Sequence, residues 1–123
     1  MSDTQLSGIR VLEETEGTGP ATDRGDLVEF DSQGYLNRGE CIQERVTTTT
    51  KLGSRQIIAG IENSLIGMKA GGYRKVKISP HLAYRHKGVA DRIPSNAVLI
   101  YELWMLRVEK QASRMSSTLG GER

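Results

Sequence analysis

The sequence predicts an α+β domain in which an antiparallel sheet curls around one short helix, and three observations carry that prediction. Ile58, Ile61, Leu65 and Met68 recur at three- and four-residue steps, which sets them on one face of a helix. The run Tyr73-Arg74-Lys75-Val76-Lys77-Ile78 alternates with period two, so Val76 and Ile78 share a buried strand face. Segments that read as strands outnumber the helical one, and turns join them. Gly60, Gly67 and the pair Gly71-Gly72 hold the helix to about ten residues, because glycine weakens helix interiors and favours helix ends. A helix that short is not stable by itself, so helix and sheet must share a core.

The remaining elements follow in chain order. Ile9, Val11 and Leu12 open the first strand, and Gly17-Thr18-Gly19-Pro20 ends it. Asp23-Arg24-Gly25-Asp26 is a turn, and Leu27-Val28-Glu29-Phe30 starts a strand that passes Gly34 and reaches Leu36. Asn37-Arg38-Gly39 reverses the chain, since glycine takes positive φ without steric cost, and Cys41 to Thr50 returns antiparallel. The threonines Thr47 to Thr50 suit a pleated, half-exposed strand better than a modification site. Ser79-Pro80 opens a loop of functional length, His81 to Ala97, interrupted by Gly88 and Pro94. Val98 to Val108 closes the domain as a long strand; both parities are apolar up to Leu106, so its inward face stays open.

With 123 residues, 37% of them hydrophobic, and a mean hydropathy of −0.43, the chain has material for a single core. The expected division is a flexible N-terminus at residues 1–7, one domain at 8–110 and a flexible Ser- and Gly-rich tail at 111–123. No apolar run is long enough for a membrane, and the first seven residues lack the pattern of a signal peptide, which predicts a cytoplasmic protein without a membrane partner. The single cysteine, Cys41, forms no internal disulfide and is expected to pack within its strand. Net charge is +2, with −6 over residues 1–50 and +8 over residues 51–123. Strands from the two halves lying side by side would pair these charges across the sheet.

Most catalytic chemistries find no support. His81 and His86 lie five apart with neither a Cys pair nor a carboxylate cluster, so no metal is expected. Ser79 and Ser95 lack a nucleophile-elbow context, and no glycine run forms a phosphate cradle, so no cofactor is implied. Arg74, Lys75, Lys77, Arg85, Lys87 and Arg92 against Asp91 leave a local +5, but a solvated strand face and loop account for it, and nucleic acid is disfavoured as a partner.

Leu52-Gly53, Ile57-Ile58-Ala59-Gly60-Ile61-Glu62, Gly67-Met68-Lys69-Ala70-Gly71-Gly72, Lys77-Ile78-Ser79-Pro80, Leu82-Ala83-Tyr84, Ile93-Pro94 with Asn96-Ala97, and the closing strand occur in an order that resembles FKBP-type peptidyl-prolyl cis-trans isomerases, over roughly residues 8 to 110. The resemblance implies an antiparallel half-barrel sheet wrapped around the central helix, with a ligand pocket between sheet and helix start. It implies an isomerase that acts on X–Pro bonds of proline-containing polypeptides, that takes the family's macrolide inhibitor and that works as a monomer. Carried over by position, the Ile58 amide and the Tyr84 hydroxyl bond substrate carbonyls. Phe30, Ile42, Ile57, Ile61 and Tyr101 form apolar walls, and Gln43, Val89 and Arg92 border the pocket.

Several positions depart from the family pattern. Ile61 stands where many active members carry Trp, Gln43 where they carry Asp, and Ile42 where they carry Phe; Thr48, Val89 and Arg92 replace an aromatic, a His and an apolar residue, and Arg85 follows Tyr84 in place of Gly. An Ile floor forgoes on the order of 50–100 Å² of apolar contact, roughly 1–2.5 kcal/mol at about 25 cal/mol per Å². The substitutions therefore predict a reduced activity. The alternative is a non-catalytic interaction module that uses the basic Arg85–Arg92 loop and an outward Trp104 or Ile100.

Overall fold

The structure, a computed structural model, describes residues 8–80 and 97–111. Tyr84, Val89, Arg92 and the basic loop around them lie outside the described residues, as do residues 1–7 and all but Gln111 of the tail expected to be flexible at 111–123. Among the described residues, five strands and one helix follow in the order β1 (Ile9–Thr15), β2 (Leu27–Leu36), β3 (Cys41–Lys51), α1 (Ala59–Leu65), β4 (Tyr73–Ile78) and β5 (Leu99–Glu109). All strand pairs are antiparallel, and the sheet order is β1-β4-β5-β2-β3. The expected α+β architecture is the observed one: Ile61 and Leu65 of α1, with Met68 just after it, share one core with the inner face of the sheet.

Pairing decides the face of β5 that its own pattern left open. Opposite β2, Met105 meets Phe30, Leu103 meets Ser32, Tyr101 meets Gly34 and Leu99 meets Leu36. These β5 residues are buried, and Val76 and Ile78 of β4 extend the same apolar surface. Ile100 and Trp104 consequently face outward. Trp104 is nevertheless covered, because the Arg45 guanidinium lies 3.7 Å above its ring and Tyr73 lies 5.6 Å from it, centroid to centroid. Cys41 does not pack as expected. After a register shift it pairs with Tyr35, which points to the outer face, and its side chain is exposed.

The uneven charge is spent across the sheet. Glu13 pairs with Lys75 and Glu14 with Arg74 in the β1–β4 ladder, and Arg74 reaches the Glu14 carboxylate at 2.8 Å. Lys69 and Glu16 add a further pair at 2.7 Å. On the outer face, Glu102 accepts the hydroxyls of both Tyr35 and Tyr73, each at 2.8 Å. That bond, reinforced by burial, pushes the Tyr35 hydroxyl up to about 12; burial first and Glu102 second push Tyr73 up as well.

The helix is shorter than its apolar spacing suggests. Ile66 turns extended and Gly67 adopts φ +86°, so the helix stops at Leu65 and Met68 reaches the core from the following turn. Its last carbonyls go to other elements: Arg74 donates to Ser64 O at 2.7 Å and Ile66 O at 2.9 Å, and the Thr22 hydroxyl donates to Leu65 O at 2.7 Å.

At the far end of the sheet, Asp26 is fully buried and accepts the Asp23 amide at 2.8 Å, the Gln111 amide at 3.2 Å and the Lys110 ammonium at 2.5 Å. Burial by itself would raise its carboxyl, but the Lys110 bond and the two amides outweigh that and hold it below the ordinary value of 3.8. A lowered folded-state value means stability that is present above 3.8 and lost as pH falls through the folded value. Asp26→Asn should cost about 2–4 kcal/mol at neutral pH, discounted because Lys110 is partly exposed, and should flatten the acid limb of the stability curve, measured by urea unfolding from neutral pH downward.

Candidate active site

The rim of the site is a tight bend between β3 and α1. Gly53 takes φ +96° and Arg55 φ +66°, a left-handed conformation that a side-chain-bearing residue adopts only when something holds it. The holder is Glu62 on the first turn of α1, buried, whose carboxylate accepts the Gly53 amide at 2.7 Å and the Arg55 amide at 3.3 Å. Thr50 donates to the Gln56 side chain at 3.2 Å, and the bend delivers Ile57 and Ile58 to the start of the helix. Ile58 is the N-cap with extended backbone (φ −62°, ψ 148°), and its carbonyl accepts the Ile61 and Glu62 amides at 3.1 Å each. Its own amide has no acceptor among the described residues, as the first amides of a helix lack one by geometry.

The floor comes from the sheet and the helix. Phe30 and Tyr101 project from adjacent strands, Ile61 from the helix, and all three are buried. Tyr101 fits because Gly34 lies beneath it: a Cβ there would stand 2.7 Å from the ring. The wall comes from β3, where Val46 keeps the parity of Thr48 and register shifts at Gly34 bring Gln43 to the same side. Gln43 donates to Ser32 Oγ at 2.9 Å and to Ser32 O at 3.3 Å, and the Tyr101 hydroxyl donates to Gln43 Oε1 at 3.4 Å.

These residues enclose a cavity of about 240 Å³, lined by Phe30, Ser32, Gln43, Val46, Thr48, Gln56, Ile57, Ile58, Ile61 and Tyr101. Larger hollows also occur among the described residues, a polar one of about 360 Å³ between β1 and the Gly67 turn and an outer-face cleft of about 460 Å³ over Leu12, Tyr35 and Ile100. Neither contains a residue that the sequence marked as a pocket position, and size alone does not make a site.

Of the residues expected from sequence, Phe30, Gln43, Ile57, Ile58, Ile61 and Tyr101 meet at this cavity. Ile42 does not join its described lining: beyond the second register shift its side chain points into the core, where it is buried. Ser32, Val46 and Gln56 were not expected. Ser32 could have been found, since it sits two residues after Phe30 on a strand whose even positions face inward. Val46 could have been found in the same way, since it continues the alternation of Thr50 and Thr48 opposite Ser32. Among the described residues no group of three His, Cys, Asp or Glu side chains could hold a metal. Gly34→Ala should displace the Tyr101 ring and destabilise the domain by about 1–3 kcal/mol, read from thermal unfolding, since the added methyl meets a rigid, buried ring.

Comparison with known proteins agrees with this geometry. Residues 19–106 match the profile of a family described as FKBP-type peptidyl-prolyl cis-trans isomerase. FK506-binding protein 1A of Neurospora crassa is 35% identical over 114 residues, covering 89% of this chain and 95% of that protein. FK506-binding protein 4 of Chaetomium thermophilum is 31% identical over 85% of this chain, which spans only 22% of that longer protein. A crystal structure of a peptidyl-prolyl cis-trans isomerase from Pseudomonas syringae pv. tomato superposes with TM-score 0.69 at 28% identity, over 83% of this chain and 74% of the other. A sheet of five antiparallel strands around one helix, a cavity at the helix start and a profile match over most of the chain give one answer: the protein belongs to the FKBP-type peptidyl-prolyl cis-trans isomerase family.

Proposed function

We propose that the chain carries out its family's reaction, rotation about X–Pro bonds, on proline-containing segments of other polypeptides, in the cavity between β2, β3, β5 and the start of α1. The observation that carries this reading is the convergence of Phe30, Ile57, Ile58, Ile61 and Tyr101 on one cavity beside an amide, that of Ile58, with no acceptor among the described residues. Rotation must cross roughly 18–20 kcal/mol by giving up amide resonance. The twisted amide is less polar than the planar one, so an apolar enclosure that fits the twisted form lowers the barrier without a nucleophile or a metal. The described lining contains no carboxylate, imidazole or amine, and this chemistry needs none.

In this reading the Ile58 amide anchors a substrate carbonyl and the apolar side chains hold the proline ring. Tyr84 is the second anchor, and Val89 and Arg92 border the pocket, on the strength of the family resemblance. The FK506-binding relatives suggest the same macrolide as a ligand of this cavity. Ile61 offers less surface than an aromatic floor, so the rate is lower than that of members with Trp there. The protein acts as a monomer in the cytoplasm, aiding protein folding; no helix among the described residues is long and apolar enough to cross a membrane.

Proline-limited refolding of a test protein checks the proposal. Catalytic amounts of the wild-type chain should accelerate the slow phase, and Ile61→Val should lower kcat/KM about three- to fourfold, the loss expected for one methylene at about 0.8 kcal/mol. No acceleration at equimolar chain, with the fold intact by thermal unfolding, would overturn the isomerase reading.

A further inference from the structure

Ser32 is the one hydroxyl-bearing residue on the inner face of β2, between Phe30 and Gly34, and is only 4% exposed. Its hydroxyl oxygen accepts a hydrogen bond from Gln43 Nε2 at 2.9 Å. The orientation of that amide is fixed, because the same nitrogen lies 3.3 Å from the Ser32 carbonyl oxygen; turned over, Gln43 would set its own oxygen against a carbonyl. Gln43 Oε1 is in turn the acceptor for Tyr101. The Ser32 hydroxyl hydrogen therefore cannot go to Gln43, and Ser32 Oγ donates to no acceptor among the described residues. A nine-tenths buried hydroxyl that lines a cavity with its donor unspent is costly unless a ligand takes it.

We propose that Ser32 is a specificity-determining residue whose hydroxyl donates to a backbone carbonyl of the bound prolyl segment. The proposal rests on the cavity being the isomerase site, and it names what that site recognises. Proline has no amide hydrogen, so an X–Pro unit offers two carbonyl acceptors in succession, that of X and that of proline, with no donor between them. A wall with a spare acceptor would leave both carbonyls unsatisfied, whereas a spare donor matches them. Gln43 sets this polarity. Its amide fills the acceptor side of Ser32 and turns the hydroxyl hydrogen toward the cavity; a carboxylate at position 43 would accept that hydrogen and withdraw it from the ligand.

The test is a set of binding titrations with an X–Pro peptide and two analogues in which sulfur replaces one carbonyl oxygen, at X or at proline, sulfur being the weaker acceptor. They are followed by NMR shifts of the Ile57 and Ile58 amides with wild type, Ser32→Ala and Gln43→Glu. Ser32→Ala should bind the oxygen peptide about three- to tenfold more weakly, the size of one net hydrogen bond. One thio-analogue should lose a similar factor with wild type and none with Ser32→Ala, and Gln43→Glu should behave as Ser32→Ala does. If both thio-analogues lose the same factor with wild type and with Ser32→Ala, the donor role is overturned while the pocket stands. If no peptide shifts the Ile57 and Ile58 signals of the wild type, the pocket reading fails and the donor role fails with it.

Discussion

A seven-residue helix forms too few internal hydrogen bonds to persist in water, so every part of α1 has to be held by something else. Apolar burial of Ile61 and Leu65 supplies part of the hold, and polar contacts at both ends supply direction. At the front, Glu62 grips the Gly53 and Arg55 amides; at the back, Thr22 and Arg74 take the orphaned carbonyls. The front grip also shapes the cavity, because the bend it stabilises is the segment that carries Gln56, Ile57 and Ile58 to the rim. Helix stability and pocket geometry are thus one problem with one solution, and a buried carboxylate outside the described cavity lining is part of the site's support.

The two faces of the sheet handle their polar groups differently. Inside, the polar groups of the described cavity lining are uncharged, and Ser32, Gln43 and Tyr101 form a chain of hydrogen bonds there. Outside, charge is abundant and consumed locally: Tyr35 and Tyr73 close on Glu102, while Asp31 takes Arg45 and Thr47, which together hold its carboxyl below the usual range, Thr47 contributing most. Arg45 in the same network stacks on the half-buried ring of Trp104.

The strands and turns were legible because they depend on local rules. The alternation of Tyr73 to Ile78, the glycine-marked reversal at Gly39 and the apolar run through Leu106 all survive in three dimensions with boundaries within a residue or two. The end of α1 was not legible, because Ile66 and Gly67 leave the helix at a point where the apolar spacing continues to Met68. The inward parity of β5 needed its neighbours, since the pattern along the strand is apolar on both sides. Within the site, Phe30, Ile57, Ile58, Ile61 and Tyr101 could be picked out by family resemblance. The inward turn of Gln43 and the burial of Ile42 depend on bulges that no period in the sequence announces. The exposed Cys41 follows from the same bulges.

One consequence of the strand order concerns how the chain comes together during synthesis. β5 is the last described strand, yet it lies in the middle of the sheet, between β4 and β2. Before it arrives, β1 with β4 and β2 with β3 are two separate ladders whose inner edges have no common neighbour, and only the β2–β3 hairpin is local in sequence. The slow step of assembly is then the insertion of a long apolar strand between two half-sheets, a step dominated by distant contacts. Between the emergence of β4 and that of β5 the chain would carry two open β-edges waiting for one strand, a condition in which edge-to-edge association is the main hazard.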